Sequence, residues 1–286
     1  NNSWGADYTY TYADVDKDDK VLNLATSSDI PTLDLSKATD QQSFQTANTT
    51  MEGLTRVDAE GKVQPGVAES WETSEDGLTW TFKLRKNSTW SNGTPVTAHD
   101  FEYSWKRTLT PETASEYSYI MADIVGSSTK EIQENGVDGV GVKALDDYTL
   151  EVKLNRPVAY FAELVSFQVF FPQNQAFVES CGDAYGSAAD KQLYNGPFTL
   201  TSWKMEDQFT MEKNPNYWDA ANVKLNKINT KVVKDTGAEV SLYEAGQIDR
   251  AILSSDYVDK YKDSKELKTR EVASIFMLQI NGGNHK

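Results

Sequence analysis

The chain has little sulfur or imidazole with which to do chemistry. Among 286 residues there is one cysteine, Cys181, and two histidines, His99 and His285. A lone cysteine cannot close an internal disulfide, and a structural metal site needs several ligands of this kind. The histidines share no ligand spacing with each other or with Cys181, so neither a metal nor any other cofactor is expected. Stability must therefore come from the core, with Cys181 expected as a buried, unpaired thiol. Basic residues are also scarce: 28 Lys and Arg stand against 43 Asp and Glu, a net charge of −15. That balance argues against nucleic acid and anionic membrane as partners, because both require basic surface. No apolar run approaches the roughly 20 residues of a membrane span. No signal peptide opens the chain, which leaves a cytosolic protein or one already processed.

Several reaction motifs are missing as well. Gly136, Gly139 and Gly141 have the wrong spacing for a phosphate loop and sit beside a hairpin. No G-x-S-x-G nucleophile elbow occurs. Asp14, Asp16 and Asp18 suggest a calcium loop, but Asp19 stands where the sharp turn needs Gly and Ala25 where a bidentate Glu would close the site. The one enzyme class left open is a glycoside hydrolase using paired carboxylates in an aromatic cleft. Forty-three acidic residues and seven tryptophans permit this without specifying it.

What the chain does contain is a patterned α/β core, with 38% hydrophobic and 25% charged residues. Residues 1–19 read as a flexible tether. Val21–Ala25 reads as a short buried strand. Asp40 is placed to N-cap a helix carrying Phe44, Ala47, Met51 and Leu54. The stretch from Gln64 to Arg107 carries the most information. Ser74–Gly77 is turn chemistry, with Gly77 suited to positive φ. Leu78, Trp80, Phe82 and Leu84 then alternate with Thr79, Thr81 and Lys83, one apolar face of a strand. Ser91-Asn92-Gly93 makes a second turn. Thr97 and Asp100 form a carboxylate variant of the capping box before Phe101, Trp105 and Leu109, one face of a helix.

Further on, Val142–Leu145 and Tyr148–Leu154 read as a hairpin across Asp146-Asp147. Short helices are expected after Pro157 (Phe161, Leu164, Val165) and Pro172 (Phe177, Val178). Phe198, Leu200 and Trp203 restart a sheet, and Asn214–Trp218 is a turn with aromatic anchors. Ile228–Val233, Gly237–Glu244 and Ile248–Leu253 read as strand, helix and strand, an order that predicts parallel pairing.

Over more than forty positions the Gln64–Arg107 stretch resembles the signature of the extracytoplasmic solute-binding proteins of family 5, which serve peptide ABC importers. Other landmarks follow in the same order: Ile30-Pro31-Thr32-Leu33-Asp34 (with Leu35 where a proline is usual), Glu52-Gly53-Leu54, the Gly141–Leu154 hairpin, Tyr194-Asn195-Gly196-Pro197-Phe198, Asn214-Pro215-Asn216-Tyr217-Trp218 and Gly246-Gln247-Ile248-Asp249. Phe101–Arg107 and Pro111–Tyr117 look most like the oligopeptide-binding members. The resemblance implies a mixed α/β fold: a lobe like those of type II periplasmic binding proteins, with a smaller inserted α+β domain. It divides the chain into 20–51 (lobe I, first part), 52–180 (inserted subdomain) and 181–286 (lobe I, second part, ending at the first inter-lobe crossing), with the second lobe absent.

The implied activity is capture of oligopeptides and delivery to ABC permease subunits, without catalysis, by a monomer outside the cytoplasm. A non-peptide ligand such as a nickel chelate is the alternative within the family. The only implied membrane contact is a lipid anchor, on a lipobox cysteine expected just upstream of Asn1. Thr39, Asp40 and Gln41 match positions whose backbone lines the cleft. Tyr117 matches a ligand-contacting tyrosine of the inserted domain, and Asn281 lies in the crossing segment. The acidic partner of the peptide α-ammonium belongs to the second lobe.

Overall fold

A computed structural model describes residue 12, residues 17–58 and residues 60–269. Two four-stranded sheets organise it. The first has the order β1 (Val21–Thr26), β10 (Lys227–Val232), β9 (Gln208–Lys213), β8 (Phe198–Lys204). Its β1–β10 pair is parallel and the others antiparallel. The second sheet is antiparallel throughout, with the order β4 (Ala68–Thr73), β5 (Thr79–Leu84), β7 (Thr149–Lys153), β6 (Val142–Asp146). A small ribbon of β2 (Thr55–Val57) and β3 (Val63–Pro65) joins them.

Apolar packing follows the same division. One buried cluster runs from Leu35 to Leu193 and contains the second sheet; the other holds Tyr12, Leu22 to Leu33, and Tyr194 to Ile228 around the first. The helix α1 (Gln41–Thr50) belongs to the larger cluster through Phe44 and Ala47, yet also touches β8, so it sits at the seam. Its other buried residues are mostly Ser and Thr. Thr46, Thr49 and Thr50 return their hydroxyls to carbonyls four residues back, which satisfies those hydroxyls inside the fold.

The signature stretch folds as its pattern predicts. In β5, Trp80, Phe82 and Leu84 are buried while the residues between them are not. Gly77 turns at φ +72°, and a Cβ there would press on Pro157 at 3.1 Å. The helix α2 (Ala98–Leu109) buries Phe101, Trp105 and Leu109 and packs across β6 and β7. Asp100 reaches back to accept the Thr97 N–H (2.9 Å) and also takes the Trp90 indole N–H (3.1 Å). The hairpin forms as β6 and β7. The two short helices form as α4 (Phe161–Leu164) and α5 (Gln175–Cys181), after α3 (Thr129–Asn135).

Asp100 gives the fold a pH signature. Burial pushes its carboxyl up to about 6, against the pull of its two N–H donors. An unfolded Asp titrates near 4, so between about 4 and 6 the folded chain holds a proton the unfolded chain has lost. This contribution to stability is therefore complete below about pH 4 and is lost as pH rises through about 6. Asp100→Asn keeps an oxygen for both donors and cannot ionise. Urea unfolding of variant and parent should show the gap shifting in the variant's favour by roughly 2–3 kcal/mol between pH 4 and 7. A gap constant with pH would mean that Asp100 is not desolvated.

Three expectations fail. The helix capped by Asp40 ends at Thr50, so Met51 and Leu54 lie beyond it and are buried from the following loop. Ile248–Leu253 is not a strand. After α6 (Thr236–Glu244) the chain meets the outer edge of β1 at one residue: Asp249 gives its N–H to Asn23 O and its carboxylate takes the Asn23 N–H (both 2.7 Å). Glu239 takes the Ile252 N–H, so side-chain carboxylates stand where a ladder would need carbonyls. The parallel partner of β10 is β1 instead. Cys181 is half-buried rather than buried, because it ends α5 at a helix terminus. The chain closes its described part with α7 (Ser255–Tyr261).

Candidate functional site

The expected binding positions begin at the start of α1. Asp40 is in extended backbone and its carboxylate accepts the Ser43 N–H at 2.8 Å, the ordinary work of an N-cap. Thr39 and Gln41 on either side are exposed. A cap of this kind leaves the first N–H groups of the helix without intrahelical partners, so the segment can offer backbone donors outward. One turn further, Phe44 points into the core and meets Tyr117 edge-on, with ring centroids 5.3 Å apart. Tyr117 also stacks on Phe167 at 5.7 Å. The structure thus brings Tyr117 beside the helix that Asp40 caps, across 77 residues of sequence. Asn281 lies outside the described residues.

The loop leading into this segment is held by the end of the signature. Arg107, in the last turn of α2, makes a two-pronged contact with the buried Asp34 carboxylate, both arms at 2.7 Å. It also donates to Gln173 at 2.9 Å, and Gln173 in turn donates to Ser36. The Asp34 carboxylate additionally takes the Ser36 N–H at 3.1 Å. The opening landmark, Ile30–Asp34, and the end of the Gln64–Arg107 signature therefore form one ion pair.

Three further landmarks, Glu52–Leu54, Tyr194–Phe198 and Asn214–Trp218, converge on the Glu52 side chain, to which the sequence assigned no role. Its buried carboxylate accepts from the Tyr217 hydroxyl and from the Trp218 indole N–H (2.7 Å). Arg56 donates to Tyr217 at 3.1 Å, pairs with Asp219 at 3.3 Å and approaches Glu52 to 3.9 Å. The Arg85 guanidinium lies 3.5 Å over the Trp218 ring. The Asn195 side-chain amide bonds both backbone groups of Glu52, and Gly196 sits so close to α1 that a Cβ would stand 2.5 Å from Met51 N. Burial pushes the Glu52 carboxyl up from its usual range, with Arg56 and the two donors pulling the other way. This hub ties the two cores together; it is architecture rather than a ligand site. In the sequence these residues stood out only as separate landmarks of the resemblance, with nothing to join them.

Two small cavities lie near this seam, one lined by Asn48, Glu52, Arg56, Ser166 and Tyr217, the other by Leu33, Ser43, Met51 and Tyr194. Neither includes Thr39, Asp40, Gln41 or Tyr117; Thr39 and Gln41 are exposed, while Asp40 and Tyr117 are half-buried. The exposed start of α1 can offer backbone groups to a ligand but does not enclose one. Among the described residues there is no cluster of three or more His, Cys, Asp or Glu side chains able to hold a metal, and no helix is long and apolar enough to cross a membrane.

Comparison with known proteins gives a consistent picture. The pattern of bacterial extracellular solute-binding proteins, family 5 (middle), matches residues 62–285. The oligopeptide-binding protein OppA of Bacillus subtilis is 38% identical over 249 residues, 85% of this chain and 46% of the relative. A dipeptide-binding protein of Lactococcus lactis is 38% identical over 92% of this chain and 48% of its own. Among solved structures, the substrate-binding domain of an oligopeptide ABC transporter from Bacillus anthracis superposes with a TM-score of 0.84 at 48% identity, covering 86% of this chain and 48% of that one. OppA of Listeria monocytogenes bound to peptide gives 0.83 at 42% identity, over 86% and 49%. The chain spans about half the length of the relatives it matches.

Proposed function

The chain belongs to the bacterial extracellular solute-binding proteins of family 5, and on that premise we propose that it captures oligopeptides outside the cytoplasm for an ABC permease. Its relatives include proteins named for binding oligopeptides and dipeptides. The observation that supports the reading is the exposed start of α1, with Tyr117 set beside that helix through Phe44. Backbone donors turned outward at a helix start suit a ligand bound through its main chain, as an added strand is bound. Main-chain pairing ignores side-chain identity and so accepts many sequences. The second wall of the cleft is supplied by sequence beyond this chain, and the two walls close over the ligand to exclude water.

In this reading Thr39, Asp40, Gln41, Tyr117 and Asn281 contact peptide. The protein acts as a monomer, is tethered by a lipid at its N-terminal side, and does not alter its ligand. Residues 52–180 form the inserted subdomain. Calorimetric titration of a mixed peptide pool into the gene product that carries this chain should give saturable binding, while a chromogenic glycoside is left intact. Glycoside turnover without peptide binding would favour the hydrolase alternative instead.

A further inference from the structure

Tyr119 is 67% exposed, an unusual position for a large ring beside an ordered core. It is not a loose side chain in free solution. Its ring stacks on Tyr117 with centroids 5.8 Å apart and planes 29° apart. Tyr117 stacks in the same manner on the buried Phe167, at 5.7 Å and 28°. Phe167 and Tyr117 both lean on Phe44 of α1. The result is a column of rings that starts in the core and ends in solvent, one ring beyond a proposed ligand contact. The backbone supports its last member: Tyr119 lies in a single 3-10 turn, Ser118–Met121, whose Met121 is buried.

We infer that Tyr119 is a platform for one aromatic side chain of the bound peptide, extending the Phe167–Tyr117–Tyr119 stack by a ligand ring. The inference rests on the peptide-binding reading above and adds a specificity to it. Offset stacking of this kind contributes beyond simple burial of area. The column is already assembled, so the ligand ring meets a surface that need not be ordered on binding. Main-chain pairing alone would be indifferent to sequence; a fixed ring at one subsite makes it selective there. The nearby Glu112 and Glu116 are exposed and form no ion pair among the described residues, so an arginine side chain is the natural competitor for the same ring face.

The test is calorimetric titration of tri-alanine, Ala-Phe-Ala and Ala-Arg-Ala into the gene product carrying this chain, as parent, Tyr119→Ala and Tyr119→Phe. The parent should prefer Ala-Phe-Ala to tri-alanine about fivefold. Tyr119→Ala should abolish that preference and leave tri-alanine affinity and the thermal midpoint unchanged. Tyr119→Phe should keep the preference, since the stack uses the ring and not the hydroxyl. Equal loss for all three peptides, no loss for any, or a larger Tyr119-dependent preference for Ala-Arg-Ala each overturns the aromatic assignment while leaving peptide capture intact. Failure of the parent to bind any of the three, or a mixed pool, overturns the underlying reading and this inference with it.

Discussion

Arg107→Ala is expected to destabilise the protein by about 3–5 kcal/mol, because it strands the Asp34 carboxylate inside the fold. Asp34 is 2% exposed and takes both arms of the guanidinium at 2.7 Å. The Ser36 N–H would remain as a partner, but one neutral donor does not offset a desolvated charge. Arg107→Lys should lose less, since an ammonium keeps the charge and gives up the fork. Asp34→Asn combined with Arg107→Met should recover part of the loss, because neither partner is then left charged and alone. Urea midpoints of the four proteins measure this. A loss under about 1 kcal/mol for Arg107→Ala would place the pair with solvated surface bridges.

Glu52→Ala should rank next, at roughly 2–4 kcal/mol, from a cavity together with orphaned donors. The Tyr217 hydroxyl and Trp218 indole both point at the carboxylate, and Arg56 would lose a neighbouring charge. Glu52→Gln should cost much less. Its carbonyl can serve Trp218 and its amide can donate to the Tyr217 oxygen, so the buried donors keep partners. Loss of the hub should also separate the two cores. Glu52→Ala is therefore expected to broaden the unfolding transition, visible as a lower urea m-value. Equal losses for Ala and Gln would show that the charge matters and not the hydrogen bonds.

Local elements were readable in the sequence because their signals are local. The alternation Leu78–Leu84, the Thr97–Asp100 cap and the Phe101–Trp105–Leu109 stripe each lie within a few residues, and each reappears as a named element. Ile248–Leu253 misled because its composition suits a strand, whereas strand formation depends on a free partner edge. Here Asp249 and Glu239 carboxylates occupy the backbone donors of the two segments. The Glu52 hub was invisible for another reason. Apart from Arg56 four residues on, its contacts span 143 to 166 residues, and no periodicity links positions so far apart. Resemblance supplied the motifs that build it but not their purpose, which the structure shows to be the joining of two cores. The ring column was legible only at Tyr117. Tyr119 lies two residues away, and nothing in the sequence said that their rings would stack.

The claim that this chain is one wall of a peptide cleft is tested most directly by titrating a single peptide pool into the 286-residue chain and into the full gene product that carries it. The account predicts saturable binding by the full product and binding weaker by at least about a hundredfold by the chain alone. A charge-assisted contact to the peptide α-ammonium is worth roughly 1.5–3 kcal/mol, and the missing wall removes main-chain partners and water exclusion besides. Equal affinity in the two would place the entire site on this chain and contradict the two-walled account.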